Sequence, residues 1–201
     1  MYRHVIWDFD GTLFDTYPVM ANVLQETLRS QGQNVAIESI LEAMKISAKT
    51  AYEKYGLDAE TISRFKEQKA QTELKSAQPF TDIPQLCRSI QKHDGHNYIL
   101  THRGASTFKL LQVNGLTGVF RDVVTAERGF ARKPDPAAIQ YLMKHYQMEP
   151  AETIMIGDRE LDVQSGHQAG INSCLVADMP ADQTVATYVV SDMKDLAKLI
   201  F

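Results

Sequence analysis

The most informative segment of this sequence is His4-Val5-Ile6-Trp7-Asp8-Phe9-Asp10-Gly11-Thr12. A short, mostly apolar run ends abruptly in a turn-like sequence that carries two carboxylates and a glycine. This pattern is typical of a buried strand that ends in a loop. It predicts a first strand at His4–Trp7 with Asp8 at its carboxyl end.

From Asp82 onward, short apolar runs alternate with amphipathic stretches of helical period. Such alternation indicates βαβ units and a mostly parallel sheet. The predicted helices are 83–92, 106–114, one opened by Pro134 and Pro136, 161–169 and one from Asp192, and the predicted strands are 97–100, 122–125, 153–156, 171–176 and 188–190.

The segment between these two parts, Tyr17 to Ser76, has no convincing strand. Val19, Val23 and Leu24 recur at helical spacing, and later apolar residues of the segment do the same. We therefore expect a doubly wound α/β core, residues 1–16 and 80–201, with a small helical cap, residues 17–79, inserted after the first strand.

The composition is that of an ordinary globular protein, with 44% hydrophobic and 23% charged residues among 201. The net charge of −4 and the absence of a basic run argue against nucleic-acid binding. Cys87 and Cys174 stand apart in apolar stretches, so we expect reduced, buried thiols. No signal peptide or membrane span is apparent, which predicts a cytoplasmic protein without a membrane partner. The sequence leaves the oligomeric state open.

Polar residues end three of the predicted strands. Asp8 follows the first, Thr101 follows Tyr98-Ile99-Leu100, and Asp158 follows Thr153-Ile154-Met155-Ile156-Gly157. Ligands of open parallel sheets bind outside the carboxyl ends of the strands. Converging carboxylate and hydroxyl oxygens there would suit Mg²⁺.

Asp8 and Asp10 can divide the work of a covalent reaction, one as the nucleophile and the other as general acid and base. A phosphate dianion about 3.5 Å from Asp8 would be repelled by on the order of 9 kcal/mol at an effective dielectric constant of ~20. Attack therefore needs positive charge. Mg²⁺ and Lys133, just before a helix opened by proline, can supply it.

Other interpretations of the same residues are weaker. A calcium loop counted from Asp8 needs glycine at its sixth position and glutamate at its twelfth, where this chain has Leu13 and Val19. Thr101 and Asp158 can each be simple helix caps, and Asp162 can merely complement a helix dipole. Their occurrence together favours a site.

Taken together, these segments resemble the haloacid dehalogenase-like hydrolase superfamily. Its four short motifs correspond, in order, to Asp8-Phe9-Asp10-Gly11-Thr12, to Thr101, to Lys133 and to Gly157-Asp158-Arg159-Glu160-Leu161-Asp162. The helical block resembles the cap of the phosphoglycolate phosphatase and β-phosphoglucomutase branch.

The resemblance implies a role for each matched residue. Asp8 would attack phosphorus, and Asp10 would protonate the leaving oxygen, activate water and bind Mg²⁺ through its main-chain carbonyl. Thr12, Thr101 and Lys133 would contact the substrate's phosphoryl group, and Asp158 and Asp162 would support the metal.

One position departs from the family pattern. Many relatives have Asn after the threonine of the second motif, whereas this chain has His102. His102 is a candidate substrate contact, although a local contact at a helix start is the stronger alternative. In the cap, Lys45 and Lys49 are candidates for an anionic substrate, although surface lysines are more often simply solvated.

The resulting expectation is Mg²⁺-dependent hydrolysis of a small phosphorylated metabolite. A phosphosugar mutase would use the same nucleophile, and a haloacid dehalogenase would need neither Mg²⁺ nor Asp10. A non-catalytic phosphate- or metal-binding regulator is the alternative from another class.

Overall fold

The computed structural model describes the backbone of residues 1–201 and every side chain except that of Met193. Two compact units divide the chain, Met1–Phe14 with Pro79–Phe201, and Asp15–Gln78. The assignment of these units as catalytic core and cap stays a prediction.

The discontinuous unit contains one six-stranded sheet in which every neighbouring pair is parallel. Its strands, in chain order, are β1 His4–Trp7, β2 His96–Leu100, β3 Phe120–Val124, β4 Thr153–Gly157, β5 Asn172–Val176 and β6 Tyr188–Val190. The spatial order is β3-β2-β1-β4-β5-β6. The predicted doubly wound α/β fold is confirmed.

The sheet order makes the junction of β1 and β4 a topological switch point, because successive strands run outward from it in opposite directions. Trp7 lies in register with Ile99 on β2 and Ile156 on β4. The residues that follow these three strands therefore meet at one edge.

Helices cover both faces of the sheet. In chain order they are α5 Ile83–Lys92, α6 Ser106–Val113, α7 Ala137–Tyr146, α8 Glu160–Ala169 and α9 Met193–Ile200, numbered after the four helices of the other unit. On one face, Ile139 and Leu142 of α7 pack in a buried cluster with Ile6 and Met155. Strands buried on both sides account for the continuous apolar runs in the sequence.

The opposite face carries a buried polar connection. Trp7 Nε1 donates a hydrogen bond to Asn97 Oδ1 at 3.0 Å, and Asn97 Nδ2 donates to the Cys87 carbonyl of α5 at 2.8 Å. Asn97 is 1% exposed. Because buried polar groups are costly when unpaired, this connection specifies how α5 lies on the sheet.

The second unit, Asp15–Gln78, is helical as predicted. Its helices are α1 Tyr17–Ser30, α2 Ile37–Ile46, α3 Ala48–Lys54 and α4 Ala59–Ser76. Leu24, Ile40 and Phe65 lie in its own buried cluster, so the unit has a hydrophobic core of its own. Ser47 and Asp58 accept hydrogen bonds from main-chain N–H groups at the starts of α3 and α4, as helix N-caps do.

Small differences from the predicted boundaries have local causes. Helix α7 begins at Ala137 rather than at the prolines, because Asp135 Oδ1 accepts the Ala137 N–H at 2.9 Å and Pro136 occupies the cap. Strand β3 begins at Phe120, two residues earlier than its apolar pattern indicates, and ends one residue earlier, at Val124. None of the described helices is long and apolar enough to cross a membrane.

Candidate active site

Asp8 lies immediately beyond β1, at the switch point of the sheet. Its main-chain N–H donates to the Ile156 carbonyl at 2.8 Å, which extends the pairing of β1 with β4 by one residue. Its side chain is 2% exposed, one oxygen, Oδ1, lies 2.5 Å from Lys133 Nζ, and the other, Oδ2, has no hydrogen-bond partner among the described residues. One oxygen of a buried carboxylate is thus available for a ligand or for attack.

Lys133 joins this carboxylate to a second one. Its ammonium group, 1% exposed, lies 2.6 Å from Asp162 Oδ1 and donates to the Leu100 carbonyl at 2.9 Å. Burial by itself lowers the pKa of Lys133, but the carboxylates of Asp162 and Asp8 outweigh burial, so the net shift is upward. Lys133 therefore stays charged between the two carboxylates.

Burial also affects Asp8. Desolvation raises its pKa to about 7, the Asp162 carboxylate contributes to the rise, and the Lys133 ammonium opposes it. A cation bound beside Asp8 would favour the ionised form that a nucleophile requires.

Asp162 is held where it is by the start of α8. The Arg159 main-chain N–H donates to Asp162 Oδ2 at 3.1 Å, while Oδ1 faces Lys133. A Cβ on Gly157 would lie 2.3 Å from Asp162 Cβ, so only glycine allows this close approach. Asp162 combines the helix-start role with a place in the site.

Three carboxylates form a group that can hold a metal ion. One oxygen each of Asp8, Asp158 and Asp162 lies within 4.8 Å of the other two. Thr12, which is fully buried, donates through Oγ1 to Asp158 Oδ1 at 3.3 Å. All-oxygen ligands with excess negative charge suit a hard divalent cation, so these residues fit Mg²⁺.

Asp10 is carried by the tight turn after β1. Gly11 has a φ of 81°, in the left-handed region that favours glycine. The Asp10 carboxylate is 20% exposed and accepts a hydrogen bond on Oδ1 from Arg103 Nη1 at 2.7 Å. Arg103 has no place in the predictions from sequence.

Thr101 follows β2 and is 3% exposed. Its main-chain N–H donates to the Val124 carbonyl, and its Oγ1 accepts the Arg103 N–H at 3.1 Å. With that acceptor position used, the hydroxyl hydrogen can point to another acceptor, such as a phosphoryl oxygen.

A sequence model of haloacid dehalogenase-like hydrolases matches residues 5–176 of this chain. The chain belongs to the haloacid dehalogenase-like hydrolase family. Pyrophosphatase PpaX of Oceanobacillus iheyensis is 23% identical over 98% of this chain and 96% of its own length. Phosphoglycolate phosphatase of Aquifex aeolicus is 21% identical over the same shares of the two chains.

Solved structures share this fold. A hydrolase from Streptococcus pneumoniae TIGR4 superimposes with a TM-score of 0.72 at 27% identity and covers 99% of this chain and 98% of its own. A haloacid dehalogenase superfamily hydrolase of subfamily IA from Geobacter sulfurreducens PCA gives a TM-score of 0.80 at 20% identity, with coverage of 99% and 100%. The resemblance to the phosphoglycolate phosphatase branch and the prediction of a phosphatase-type hydrolase are confirmed.

The hydrolase structure brings together Asp8, Lys133, Asp158 and Asp162, with Thr12 bonded to Asp158. Their individual roles stay predictions. Lys49 lies in the helical unit, where its exposed side chain is 3.6 Å from Glu53, and its contact with substrate likewise stays a prediction.

The predictions from sequence do not include Arg103 or the Leu100 carbonyl. The only signal for Arg103 in the sequence is its position two residues after Thr101. The motif spacing gives no sign that a main-chain carbonyl accepts a hydrogen bond in the site.

His102 lies beside the lysine loop. Its Nε2 accepts the Lys133 main-chain N–H at 2.9 Å, and Arg132 Nη2 lies 2.9 Å from its Nδ1. Burial lowers the pKa of His102 to about 3, and the cations of Lys133 and Arg132 contribute to the shift. The neutral ring thus holds the segment that carries Lys133, and its contact with substrate stays a prediction.

His102 is expected to make folding stability pH-dependent. Between pH values of about 6.5 and 3 the unfolded chain binds this proton and the folded chain does not, so stability falls as pH is lowered. His102→Asn keeps an acceptor for Lys133 and removes the titration. We expect the difference in unfolding free energy between wild type and the variant to change by at most about 1.4 kcal/mol per pH unit. The change is smaller than this limit because solvent partly screens the ring.

Urea unfolding at pH 7, 5.5 and 4.5 measures this difference. His145→Asn, at the exposed surface of α7, controls for the loss of an imidazole. The same dependence of the unfolding free energy on pH in wild type and His102→Asn would contradict the prediction.

Proposed function

We propose that this chain hydrolyses small phosphate monoesters with Mg²⁺, through an aspartyl phosphate formed on Asp8. One observation carries the proposal most directly. Asp8 is a buried carboxylate at the switch point, with one oxygen paired to Lys133 and the other without a hydrogen-bond partner among the described residues. A structural ion pair has no need of an unpaired buried oxygen, since such an atom costs free energy unless a ligand uses it.

The metal requirement rests on the carboxylate group. Asp8, Asp158 and Asp162 would hold the ion, with the main-chain carbonyl of Asp10. When bound, Mg²⁺ supplies positive charge that offsets the repulsion between the phosphoryl group and these carboxylates.

The protein's own residues account for the two displacements. An Asp8 oxygen attacks phosphorus while the bond from phosphorus to the leaving oxygen breaks, and Asp10 gives that oxygen a proton. Water then attacks phosphorus and gives a proton to Asp10, and the bond from phosphorus to Asp8 breaks. Inorganic phosphate leaves, and both carboxyl groups return to their starting states.

The phosphoryl group would be held by Thr101 and Lys133. Thr101 presents a hydroxyl whose acceptor position is already used by Arg103. Lys133 presents a buried ammonium that neutralises charge close to Asp8. Preorganised donors of this kind stabilise the charge that develops on the equatorial oxygens during transfer.

Two of the relatives indicate which substrates to test first. They are a pyrophosphatase and a phosphoglycolate phosphatase, whose named substrates carry a second anionic group near the phosphoryl group. We propose that the preferred substrates are small doubly anionic compounds, meaning phosphate compounds that carry a second anionic group near the phosphoryl group.

A turnover screen tests this proposal. Release of inorganic phosphate is measured with Mg²⁺ from phosphoglycolate, pyrophosphate, sugar phosphates and nucleotides. We expect turnover that EDTA abolishes and added Mg²⁺ restores, with doubly anionic small compounds preferred. Conversion of a sugar phosphate to its isomer without phosphate release would identify a mutase instead. Binding of phosphate without turnover of any substrate would indicate a regulator.

A further inference from the structure

Arg103 is a buried cation directly beside the predicted acid/base. The residue is 6% exposed, and its Nη1 donates to Asp10 Oδ1 at 2.7 Å. Hydrogen bonds in which the donor or the acceptor is charged are shorter and stronger than neutral ones. Arg103 lies outside the four motifs, so the resemblance assigns it no role.

Several contacts fix the arginine itself. Its main-chain N–H donates to Thr101 Oγ1 at 3.1 Å, and its Nη2 donates to Ser106 Oγ at the start of α6 at 3.2 Å. The guanidinium carbon lies 5.3 Å from the centre of the Phe9 ring, a cation–π distance. The Phe9 ring in turn stacks on Phe14, with centroids 4.5 Å apart and an interplanar angle of 10°.

This arrangement constrains the side chain of Asp10. Asp10 follows Phe9 in a turn that contains a glycine, and its carboxylate reaches partly into solvent. An acid/base group must be held near the productive geometry by neighbours whose own conformations are fixed. The guanidinium of Arg103, packed and bonded on several sides, is such a neighbour.

We propose that Arg103 is a positioning residue that holds the Asp10 carboxylate for proton transfer. It also joins Asp10 to Thr101, so the acid/base and the phosphoryl-binding hydroxyl form one hydrogen-bonded unit. The proposal rests on the function proposed above, because it requires Asp10 to act as acid and base. A substrate-binding role is disfavoured, since the Arg103 side chain is only 4% exposed and is already bonded to protein groups.

The test uses the full-length protein with Mg²⁺ and p-nitrophenyl phosphate. Its leaving group departs without a proton, so phosphorylation of Asp8 depends little on Asp10, whereas attack of water on the aspartyl phosphate needs Asp10 as base. In Arg103→Met we expect a stopped-flow burst of about one nitrophenolate per active site. A steady-state rate about 10- to 100-fold below wild type follows it, with no rise in KM. Arg103→Lys keeps the positive charge but lacks the planar guanidinium, so its steady-state rate should lie between those of Arg103→Met and wild type.

Arg128→Met is the matched control. Arg128 pairs with both oxygens of Asp122, each at 2.8 Å, and its side chain is 40% exposed. We expect its burst and steady-state rates to equal those of wild type. Thermal unfolding shows whether each variant is folded.

Three results for a folded Arg103→Met protein would overturn the proposal. The first is steady-state turnover at the wild-type rate, and the second is loss of both the burst and steady-state turnover. The third is a higher KM with an unchanged kcat. If wild type hydrolyses no phosphate ester, the function proposed above fails instead. In that case, the crystal structure of Arg103→Met tests whether Arg103 positions Asp10. An Asp10 carboxylate in its wild-type place overturns the inference, and a displaced Asp10 beside an unmoved Asp8 supports it.

Discussion

Asp8→Asn is expected to lower turnover by about 10³-fold or more, whatever the phosphate substrate. The amide is a poor nucleophile and a weaker metal ligand than the carboxylate, and Asp8 is the side chain whose buried Oδ2 has no hydrogen-bond partner among the described residues. Because asparagine has nearly the same shape and Lys133 still pairs with Asp162, the variant should fold.

The measurement combines kinetics with mass spectrometry. Wild type quenched in acid during turnover should carry a phosphoryl group on Asp8, and Asp8→Asn should carry none. Asp122→Asn, which alters a carboxylate on β3 of the same sheet, is the control and should retain turnover. A folded Asp8→Asn protein with near-normal activity would rule out the covalent mechanism.

Lys133→Met is expected to lower both activity and stability. The substitution leaves the carboxylates of Asp8 and Asp162 facing each other in a buried site and removes the donor from the Leu100 carbonyl. Breaking a buried ion pair by removing one partner costs about 3–5 kcal/mol of folding free energy. Turnover should fall by about 10²-fold or more, because the phosphoryl group also loses a compensating charge.

Urea unfolding in EDTA measures the stability loss, and the same experiment in Mg²⁺ should show a smaller one, since a cation can replace part of the missing charge. Lys198→Met is the control. Lys198 makes an exposed ion pair with Asp195, and its loss should leave unfolding unchanged. Equal stability of wild type and Lys133→Met in EDTA would contradict the interpretation of Lys133 as the charge that holds the two carboxylates together.

Much of the fold follows from the sequence because its signals are local. The apolar run before Asp8 and the similar run before Thr101 predict buried strands by their own composition, and alternation with helical periods predicts parallel pairing. The boundaries are less exact. The sequence predicts a helix opened by Pro134 and Pro136, whereas α7 begins at Ala137, where the Asp135 side chain accepts the first N–H.

The sequence also predicts which strand ends lie side by side. Parallel strands end at one edge of the sheet, so Asp8, Thr101 and Asp158 were expected together from their positions in the chain alone. The register of Trp7 with Ile99 and Ile156 is the structural reason that this expectation holds for the strand ends.

Only the tertiary structure shows how those residues are held. Arg103 and Asp10 are 93 positions apart, and Lys133 and Asp8 are 125 apart. Each pair depends on the sheet register, on the path of the loop after a strand and on one side-chain rotamer. Local periodicity carries no information about any of these, because a hydrogen bond depends on the separation of two atoms to within a few tenths of an ångström. The strands and the edge where the site forms therefore follow from local sequence patterns, and three-dimensional packing sets the partner of each charge within the site.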